Sequence, residues 1–355
     1  MTDDVIVRRE GRVGRLTLNR PQALHALTTA MCLAMTEALM AWRQDADVDL
    51  VLLDHTGPRG FCAGGDIRML ADSGASDGAE ARAFFFHEYR LNHLLFDYPK
   101  PVLALMDGVT MGGGVGLSAP ARYRVATERT TYAMPETGIG LFPDVGGGWF
   151  LPRMPGRIGL YLALTGARIK AADCLMAGIA THVLESSACE DFKAAVLKSP
   201  ADVEDILNTF GVDSGPPPLG DVRGDIDQAF GGESVEAIIV RLEGQGTDWS
   251  RAQLAILASK SPQTLKVAYR QLELGGQAAS FSQNMQMEYR IGSRVVQMHD
   301  FLEGVRAVLV DKDNTPAWEP ARLAGVTAEI LDAIFAPLPQ DMEWSPLPGL
   351  ERSQA

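Results

Sequence analysis

Short apolar runs alternate with longer stretches of helical periodicity in the first half of the chain, and this alternation constrains the fold most. The strand-like runs are residues 5–19, which form two strands around Gly11, 49–57, 101–108 and 122–136. The helical stretches between them are residues 28–43, capped by Thr28, 79–97 and 112–119. Strands that alternate with helices build α/β cores with crossover connections. The sequence therefore predicts an α/β fold.

The pattern changes after about residue 190. Residues 156–190 still mix helical stretches with one strand-like piece, IATHVLES. Residues 211–225, with three consecutive prolines and several glycines, predict a loop or linker. Helices are then predicted at residues 233–243, 249–259, 262–273 and 280–310, and the last twenty residues are proline-rich and predicted to be irregular. We expect a catalytic core over residues 1–200 and a helical region over 201–355 that completes the fold.

The charge balance limits the partners. The chain of 355 residues carries a net charge of -13 and shows no basic stripe, which argues against general nucleic-acid binding. A small anionic ligand stays compatible with this balance, because a few local Arg or Lys side chains and helix N-termini suffice to hold it.

Cysteine usage and the N-terminus indicate a cytoplasmic protein that makes no membrane contact. Cys32, Cys62, Cys174 and Cys189 are widely spaced and form no CxxC pair. The opening MTDDVIVRRE resembles neither a secretory signal nor a basic amphipathic leader. A membrane-spanning helix needs about 18 or more apolar residues in a row, and no such run occurs.

Several common catalytic motifs are missing from the sequence. It contains no GxSxG, no GxxxxGK[ST] and no HExxH, so serine hydrolase, P-loop NTPase and zinc protease functions have no local support. The glycines of GGGVGL are also out of register with the GxGxxG dinucleotide fingerprint.

Three glycine-rich segments remain to be explained: FCAGGD (61–66), MGGGVGLS (111–118) and AMPETGIGLFPDVGGG (133–148). Any one of them alone is most simply a tight turn. Together they can offer two backbone N–H groups, one of them at a helix N-terminus, to the oxygen of a thioester carbonyl as it becomes negative. Glu136 and Asp144, eight residues apart across this third segment, can converge on one cavity, where their proximity would raise the pKa of one of them toward the range of a general acid or base.

These motifs resemble those of the crotonase (enoyl-CoA hydratase/isomerase) superfamily. The resemblance lies in FCAGGDI, DGVTMGGGVGLS and the PET turn. Further segments are similar to a branch that hydrolyses short, branched 3-hydroxyacyl-CoA thioesters, as in valine breakdown. They are EYRLN (88–92), AMPETGIGLFPDVGGGWFLPR (133–153), LALTGARIKAADCLMAGIATHV (162–183) and DFLEGVRAVLVDKDNTPAW (300–318). The resemblance spans almost the whole chain and implies a ββα spiral core with a helical C-terminal extension.

The resemblance also implies a role for individual residues. It assigns the oxyanion-binding amides to Gly65 and Gly113, the main catalytic carboxylate to Glu136 and a second acid to Asp144. It assigns substrate binding to Glu88, Ala23, Leu24, Ala63 and Asp66. Coenzyme A is then part of the substrate, and no cofactor or metal is expected.

Two positions depart from the hydratases of the superfamily. The resemblance places their second glutamate at Gly116, and Asp144 stands where they commonly have glycine. This exchange favours the hydrolase. Hydration or isomerisation of an enoyl-CoA is the alternative, and a non-catalytic acyl-CoA-binding protein is a third hypothesis. Related enzymes often form trimers, so a homo-oligomer is also considered.

Other reactive residues are interpreted as packing groups. Cys62 lies beside the first glycine segment with no base or cation near it in sequence. His25 and His182 have no neighbouring carboxylate to orient them. Residues 84–86, all phenylalanine, are expected to form core or the wall of an acyl pocket.

Overall fold

A computed structural model describes residues 2–349. The first residue of the predicted core and the last six of the predicted helical region therefore lie outside the described residues. The strands are β1 (Val5–Glu10), β2 (Val13–Leu18), β3 (Leu50–His55), β4 (Gly60–Cys62), β5 (Val102–Met106), β6 (Val109–Met111), β7 (Tyr123–Thr127), β8 (Thr131–Ala133) and β9 (His182–Leu184).

The helices of the first two hundred residues surround these strands. They are α1 (Thr29–Arg43), α2 (Ile67–Gly74), α3 (Ala79–Phe96), α4 (Gly113–Ser118), α5 (Gly147–Phe150), α6 (Ile158–Thr165), α7 (Ala171–Met176) and α8 (Cys189–Lys198). The later helices are α9 (Val203–Phe210), α10 (Pro218–Ala229), α11 (Val235–Gln245), α12 (Asp248–Ala258), α13 (Pro262–Gln277), α14 (Phe281–Val295), α15 (His299–Val305) and α16 (Ala328–Phe335).

The strands form two sheets, and the chain visits them in turn. The large sheet has the order β1-β2-β3-β5-β7-β9, in which the β1-β2 pair is antiparallel and the other pairs are parallel. The small sheet, β4-β6-β8, is parallel throughout. Each of three successive turns adds one strand to the large sheet and the next to the small sheet. This is the predicted ββα spiral.

Alternate side chains of the large sheet enter two separate cores. Val51, Leu53 and Ala104 face the main core, which α1 and α3 cover. Leu52 and Leu103 face a second cluster that includes residues of α8 and α9. A parallel sheet covered on both faces needs continuous apolar strands, which is why the first four residues of β3, LVLL, and the whole of β5, VLALM, are hydrophobic without interruption.

The small sheet gathers the glycine-rich segments at one edge. Residues 63–65 follow β4, Gly112 and Gly113 follow β6, and Glu136 follows β8. The carboxyl ends of parallel strands lie on the same side of a sheet, so these three segments meet although they are far apart in sequence. The fold thereby builds one site from three similar turns.

Helices after residue 200 pack into the same main core as the earlier elements. Helix α14 contacts α3, and α13 contacts α5 and α6. Buried residues of both regions, such as Leu94 and Ile291, belong to one hydrophobic cluster. The division of the chain at residue 200 stays a prediction.

Two predictions for this region are wrong in detail. The predicted linker 211–225 ends early, because Pro218 begins α10, and proline is favoured in the first turn of a helix, where its missing N–H has no role. The predicted helix 280–310 is divided into α14 and α15, which begins at His299.

Within residues 2–349, none of the helices has the length and apolar character needed to cross a membrane. The four cysteines are buried and unpaired.

Candidate active site

One cavity contains most of the predicted site residues. It opens at the carboxyl edge of the small sheet between α3 and the turn that follows β8. Three carboxyl side chains line it, those of Glu88, Glu136 and Asp144. Backbone of the glycine-rich segments also lines it, at Ala63, Gly64, Gly65, Gly112 and Gly113. Its apolar walls include Ile67, Leu70, Phe84, Phe85, Ile139 and Leu141. The expectation that Phe84 and Phe85 line an acyl pocket is consistent with this position.

Two residues of the cavity wall, Gly65 and Gly113, have backbone amides that are not used in the local pairing. The Leu27 amide donates to the Gly64 carbonyl at 2.8 Å, and the Asp66 amide donates to the Leu27 carbonyl at 3.0 Å. In a parallel bridge these bonds leave the N–H of Gly65 directed to the other side. The N–H of Gly113 is also free of helix bonding, because Gly113 is the first residue of α4.

The close approach of the two segments requires glycine at the start of α4. A Cβ on Gly113 would lie 2.7 Å from Glu88 Oε1, and a Cβ on Gly114 would lie 2.4 Å from the Cys62 carbonyl oxygen. Gly112 before them has a φ of 46°, in the region that side chains disfavour. Glycine here lets the two segments approach each other closely, with no side chain between them.

Glu136 is buried beside these amides. Its Oε1 lies 3.4 Å from the point that a Cβ on Gly112 would occupy, and its Oε2 has no hydrogen-bond partner among the described residues. Burial, and then the charge of Asp144, raise the pKa of Glu136 well above its usual range. The ammonium of Lys260 opposes that rise in pKa. It lies 3.1 Å from the point that a Cβ on Gly138 would occupy. The carboxyl is thus poorly solvated and available to a ligand.

Asp144 and Glu88 are the other two carboxyl groups of the cavity, and both are buried. Burial raises the pKa of Asp144 to about 7, while the hydroxyl of Tyr89, which donates to Asp144 Oδ2 at 2.9 Å, acts in the opposite direction. Burial, and then the charge of Asp144, raise the pKa of Glu88 well above its usual range. Asp144 can therefore titrate near neutral pH while Glu88 favours its neutral, proton-donating form.

Glu288 fixes the loop that carries Asp144. Its Oε2 accepts from the Gly146 amide at 2.7 Å, and its Oε1 accepts from the Gly148 amide at 2.8 Å. Oε1 also accepts from the side-chain amides of Asn284 at 2.8 Å and Gln271 at 3.1 Å. Burial raises the pKa of Glu288 to about 7. The later helices therefore help to form the site.

Neither Glu288 nor Tyr89 was among the site residues predicted from the sequence. The spacing of Asn284 and Glu288, four residues apart on the helical stretch 280–310, was the signal available. The tyrosine was present in the EYRLN segment but could not be given a partner without the fold.

The remaining predicted residues lie around the cavity. The Ala63 amide donates to the Leu24 carbonyl at 3.0 Å, which brings the segment of Ala23 and Leu24 beside the cavity wall. Asp66 is absent from that wall. It caps the N-terminus of α2 and forms an ion pair with Arg20 at 2.9 Å.

Cys62 has the environment of a packing residue. Its Sγ donates to the His25 carbonyl, with 3.2 Å between the two atoms. Burial raises the pKa of the thiol to about 12, so the nucleophilic thiolate is scarce at neutral pH. No group of three or more His, Cys, Asp and Glu side chains suited to a metal ion occurs in the part of the chain that the structure describes.

The position of Gly116 is closed to any side chain. A Cβ there would lie 2.7 Å from Nδ2 of Asn92 and 2.7 Å from Cβ of Val145. A glutamate at this position would displace both neighbours. The packing around position 116 therefore accommodates the glycine of this chain and leaves no room for the glutamate that the hydratases have there.

Residues 13–335 match the model of a protein family described as enoyl-CoA hydratase/isomerase. A relative from Danio rerio, 3-hydroxyisobutyryl-CoA hydrolase, mitochondrial, is 44% identical over 344 residues, which cover 94% of this chain and 90% of that protein.

Two solved structures match nearly the whole fold. The crystal structure of a carnitinyl-CoA dehydratase from Mycobacterium thermoresistibile has a TM-score of 0.92 and 41% identity, and covers 97% of this chain and 99% of that one. The crystal structure of an enoyl-CoA hydratase from Rhodobacter sphaeroides has a TM-score of 0.89 and 39% identity. The match covers 97% of this chain and 100% of that one.

The comparison does not confirm the expected cytoplasmic location. The Danio rerio relative is named as a mitochondrial protein. The location of this chain stays a prediction.

Glu288→Ala is expected to destabilise the fold. Each buried donor left unpaired costs about 1–3 kcal/mol, and two backbone amides would lose their acceptor, so the free energy of unfolding should fall by at least about 2 kcal/mol. Urea unfolding followed by circular dichroism measures the change. Glu243→Ala, on an exposed face of α11, is the control and should change little. Equal stabilities of the two variants would contradict the role given to Glu288.

Gly116→Ala is expected to lower the free energy of unfolding by about 1–3 kcal/mol, the usual cost of overpacking a core. Gly244→Ala is the matched control, because a Cβ on that helical glycine meets no atom of the described residues within 4 Å. The control should stabilise the protein by about 0.5–1 kcal/mol. Thermal and urea unfolding distinguish the two, and a gain in stability for Gly116→Ala would show that the position has room.

Proposed function

Because the chain belongs to the enoyl-CoA hydratase/isomerase family, we propose that it hydrolyses 3-hydroxyisobutyryl-CoA to 3-hydroxyisobutyrate and coenzyme A. The observation that carries the proposal is the grouping of Glu136, Asp144 and Glu88 in one cavity beside two free amides, while Gly116 is closed. A thioester hydrolase needs an oxyanion site and a carboxylate. A hydratase that divides its chemistry between two glutamates needs a second acid where Gly116 lies.

The amides of Gly65 and Gly113 bind the thioester oxygen. Two donors aimed at one oxygen stabilise the charge that develops on it when a nucleophile adds to the carbonyl. Each such donor contributes about 3–4 kcal/mol to transition-state stabilisation in enzymes where this has been measured. The segments of Ala23, Leu24 and Ala63 border the path of the coenzyme A chain.

Glu136 supplies the attack on the carbonyl carbon. In one route its carboxylate adds to that carbon, the C–S bond breaks, and an enzyme-bound anhydride is left for water to hydrolyse. In the other route it takes a proton from a water that attacks directly. Both routes consume one water, give one carboxylic acid, and deliver a proton to the departing thiolate. Single turnover in ¹⁸O-labelled water can reveal the anhydride route, because label enters Glu136 only when water attacks the Glu136 carbon of an anhydride. Attack on the acyl carbon labels the product acid in both routes.

Asp144 and Glu88 position the substrate hydroxyl or the hydrolytic water. The neutral form that burial favours at Glu88 can donate a hydrogen bond, whereas ionised Asp144 can accept one. The pair therefore offers one donor and one acceptor to a polar acyl group. An acyl chain with a hydroxyl at C3 presents the complementary groups.

Hydration or dehydration of an acyl-CoA is the second candidate. It is favoured by the dehydratase and the hydratase among the solved structures, whose identities of 41% and 39% are only slightly below the 44% of the hydrolase relative. Purified protein should be given 3-hydroxyisobutyryl-CoA with a thiol reagent, and crotonyl-CoA in a separate assay. Loss of the enoyl absorbance without release of free thiol would replace the hydrolase proposal with this one.

Glu136→Gln should lower the rate of coenzyme A release at least about 10²-fold, since it removes both the nucleophile and the base. Binding of the CoA ester, measured by calorimetry, should persist because the amides and the groove are unchanged. Glu243→Gln is the exposed control. Full turnover by Glu136→Gln would support a non-catalytic role for this carboxyl and would sink the mechanism.

The rate should depend on the ionisation of Asp144. Its pKa of about 7 predicts that kcat/KM rises as the pH increases through neutrality. Tyr89→Phe removes a hydrogen bond that favours the carboxylate; such bonds are worth about 1.5–3 kcal/mol, so the rise should move to higher pH by roughly one to two units.

The matched control for this experiment is Tyr98→Phe. Its hydroxyl also donates a buried hydrogen bond, to the Leu39 carbonyl at 2.7 Å, but lies outside the cavity. The pH profile of this control should coincide with that of the wild type. An unshifted profile for Tyr89→Phe would remove Asp144 from the rate-determining ionisation.

A further inference from the structure

Asn92 carries a buried carboxamide that the protein leaves unpaired. The side chain has no exposed surface, and neither Oδ1 nor Nδ2 has a hydrogen-bond partner among residues 2–349. A buried polar group without a partner destabilises a protein, so two such atoms in one side chain call for a ligand that satisfies both. The side chain lies next to the cavity, but it is absent from the cavity wall and so does not touch an acyl-CoA there.

The position of the carboxamide relative to Glu88 indicates the size of that ligand. Glu88 and Asn92 are one turn apart on α3 and lie against α4, also one turn apart. Glu88 Oε1 is 2.7 Å from the point that a Cβ on Gly113 would occupy, and Asn92 Nδ2 is 2.7 Å from that point on Gly116. The Cβ positions of residues three or four apart on a helix are roughly 5–6 Å from one another, so the two polar atoms lie beside two points that are separated by about that distance.

One water fits this spacing. Glu88 Oε1 is itself buried and without a partner in the described part of the chain. Two hydrogen bonds of about 2.8 Å through one water oxygen span roughly 5 Å. A water also needs both donors and acceptors, which a carboxamide beside a carboxyl group supplies.

We propose that Asn92 and Glu88 hold the water that is consumed in thioester hydrolysis, an inference that rests on the proposed function. The oxygen of this water forms the new bond to the acyl carbon, and the C–S bond of the thioester, or the C–O bond of the anhydride, breaks. One proton of the water passes to a carboxylate of the cavity and from there to the leaving group. Asn92 is a positioning residue in this step.

The contact between Asn92 and Gly116 explains why residues of α3, and not of α4, hold the proposed water in this chain. Asn92 and Val145 fill the volume that a side chain at position 116 would need. The side-chain amide of Asn92 on α3 therefore lies where an acidic side chain at position 116 on α4 would otherwise lie. The amide is neutral, so it adds no charge to the three carboxyl groups already buried there.

The test separates water from another nucleophile. Hydroxylamine competes with water for the acyl group, so acid and hydroxamate are measured together with free coenzyme A. Asn92→Leu keeps the size of the side chain and removes its hydrogen bonds. We expect acid formation to fall at least about 10²-fold, while hydroxamate formation and KM stay within about threefold of the wild type. Asn208→Leu, at an exposed position on α9, is the control and should leave the ratio of acid to hydroxamate unchanged.

A parallel loss of acid and hydroxamate would overturn the proposal, because it would mean general damage to the site. An unchanged ratio in Asn92→Leu would overturn it too. If wild-type protein releases no coenzyme A from 3-hydroxyisobutyryl-CoA, the proposed function fails first, and the two failures are thereby distinguished.

Asn92→Asp tests the same idea without loss of volume, and carries the test alone if Asn92→Leu does not fold. A protonated aspartic acid keeps a donor and an acceptor, whereas its anion keeps acceptors alone. The ratio of acid to hydroxamate formed by Asn92→Asp should therefore be compared with that of the wild type at the same pH. We expect this relative value to fall as the pH rises. A ratio that follows the wild type at every pH would contradict a role for Asn92 in holding water.

Discussion

Three short parallel strands that end at one edge determine where the chemistry of this protein can lie. Strands β4, β6 and β8 form the whole of the small sheet, which has half as many strands as the large one. The turns after them nevertheless carry Gly65, Gly113 and Glu136. Parallel pairing makes those turns neighbours regardless of their distance in sequence. A shift in the register of the small sheet would move the amides of Gly65 and Gly113, the proposed oxyanion donors, relative to the Glu136 carboxyl.

Burial of carboxyl groups is the energetic burden of this arrangement. Glu88, Glu136 and Asp144 lie within one cavity, and Glu288 lies behind it, each with its pKa raised by loss of solvent. The protein compensates unevenly. Glu288 receives four hydrogen bonds and supports the loop, whereas Glu136 and Glu88 each keep an oxygen that has no partner in residues 2–349. The unsatisfied atoms belong to side chains that line the cavity, a division expected of a site that stores unfavourable energy for binding and catalysis.

The sequence allowed the outline of the fold and the centre of the site to be predicted. Helices with clear caps, such as α1 behind Thr28, and apolar strands such as β3 lie close to their predicted bounds. The glycine segments could be interpreted because backbone requirements are local. Glu288 and Asn92 could not be found in this way, since their significance depends on partners that the fold alone brings near. The error at residues 211–225 has a local cause, because a proline that opens a helix looks in sequence like a proline in a loop.

The bond between Glu288 and the Asp144 loop affects how the protein can be made. Gly146 and Gly148 leave the ribosome 142 and 140 residues before the carboxylate that pairs with them. At roughly 5–20 residues per second, this gap lasts about 7–30 s. Throughout that interval the growing chain carries every glycine motif of the site but has no anchor for its Asp144 loop. The site is completed by one of the last helices to emerge, so a truncated translation product would hold the recognisable motifs without the geometry that makes them work.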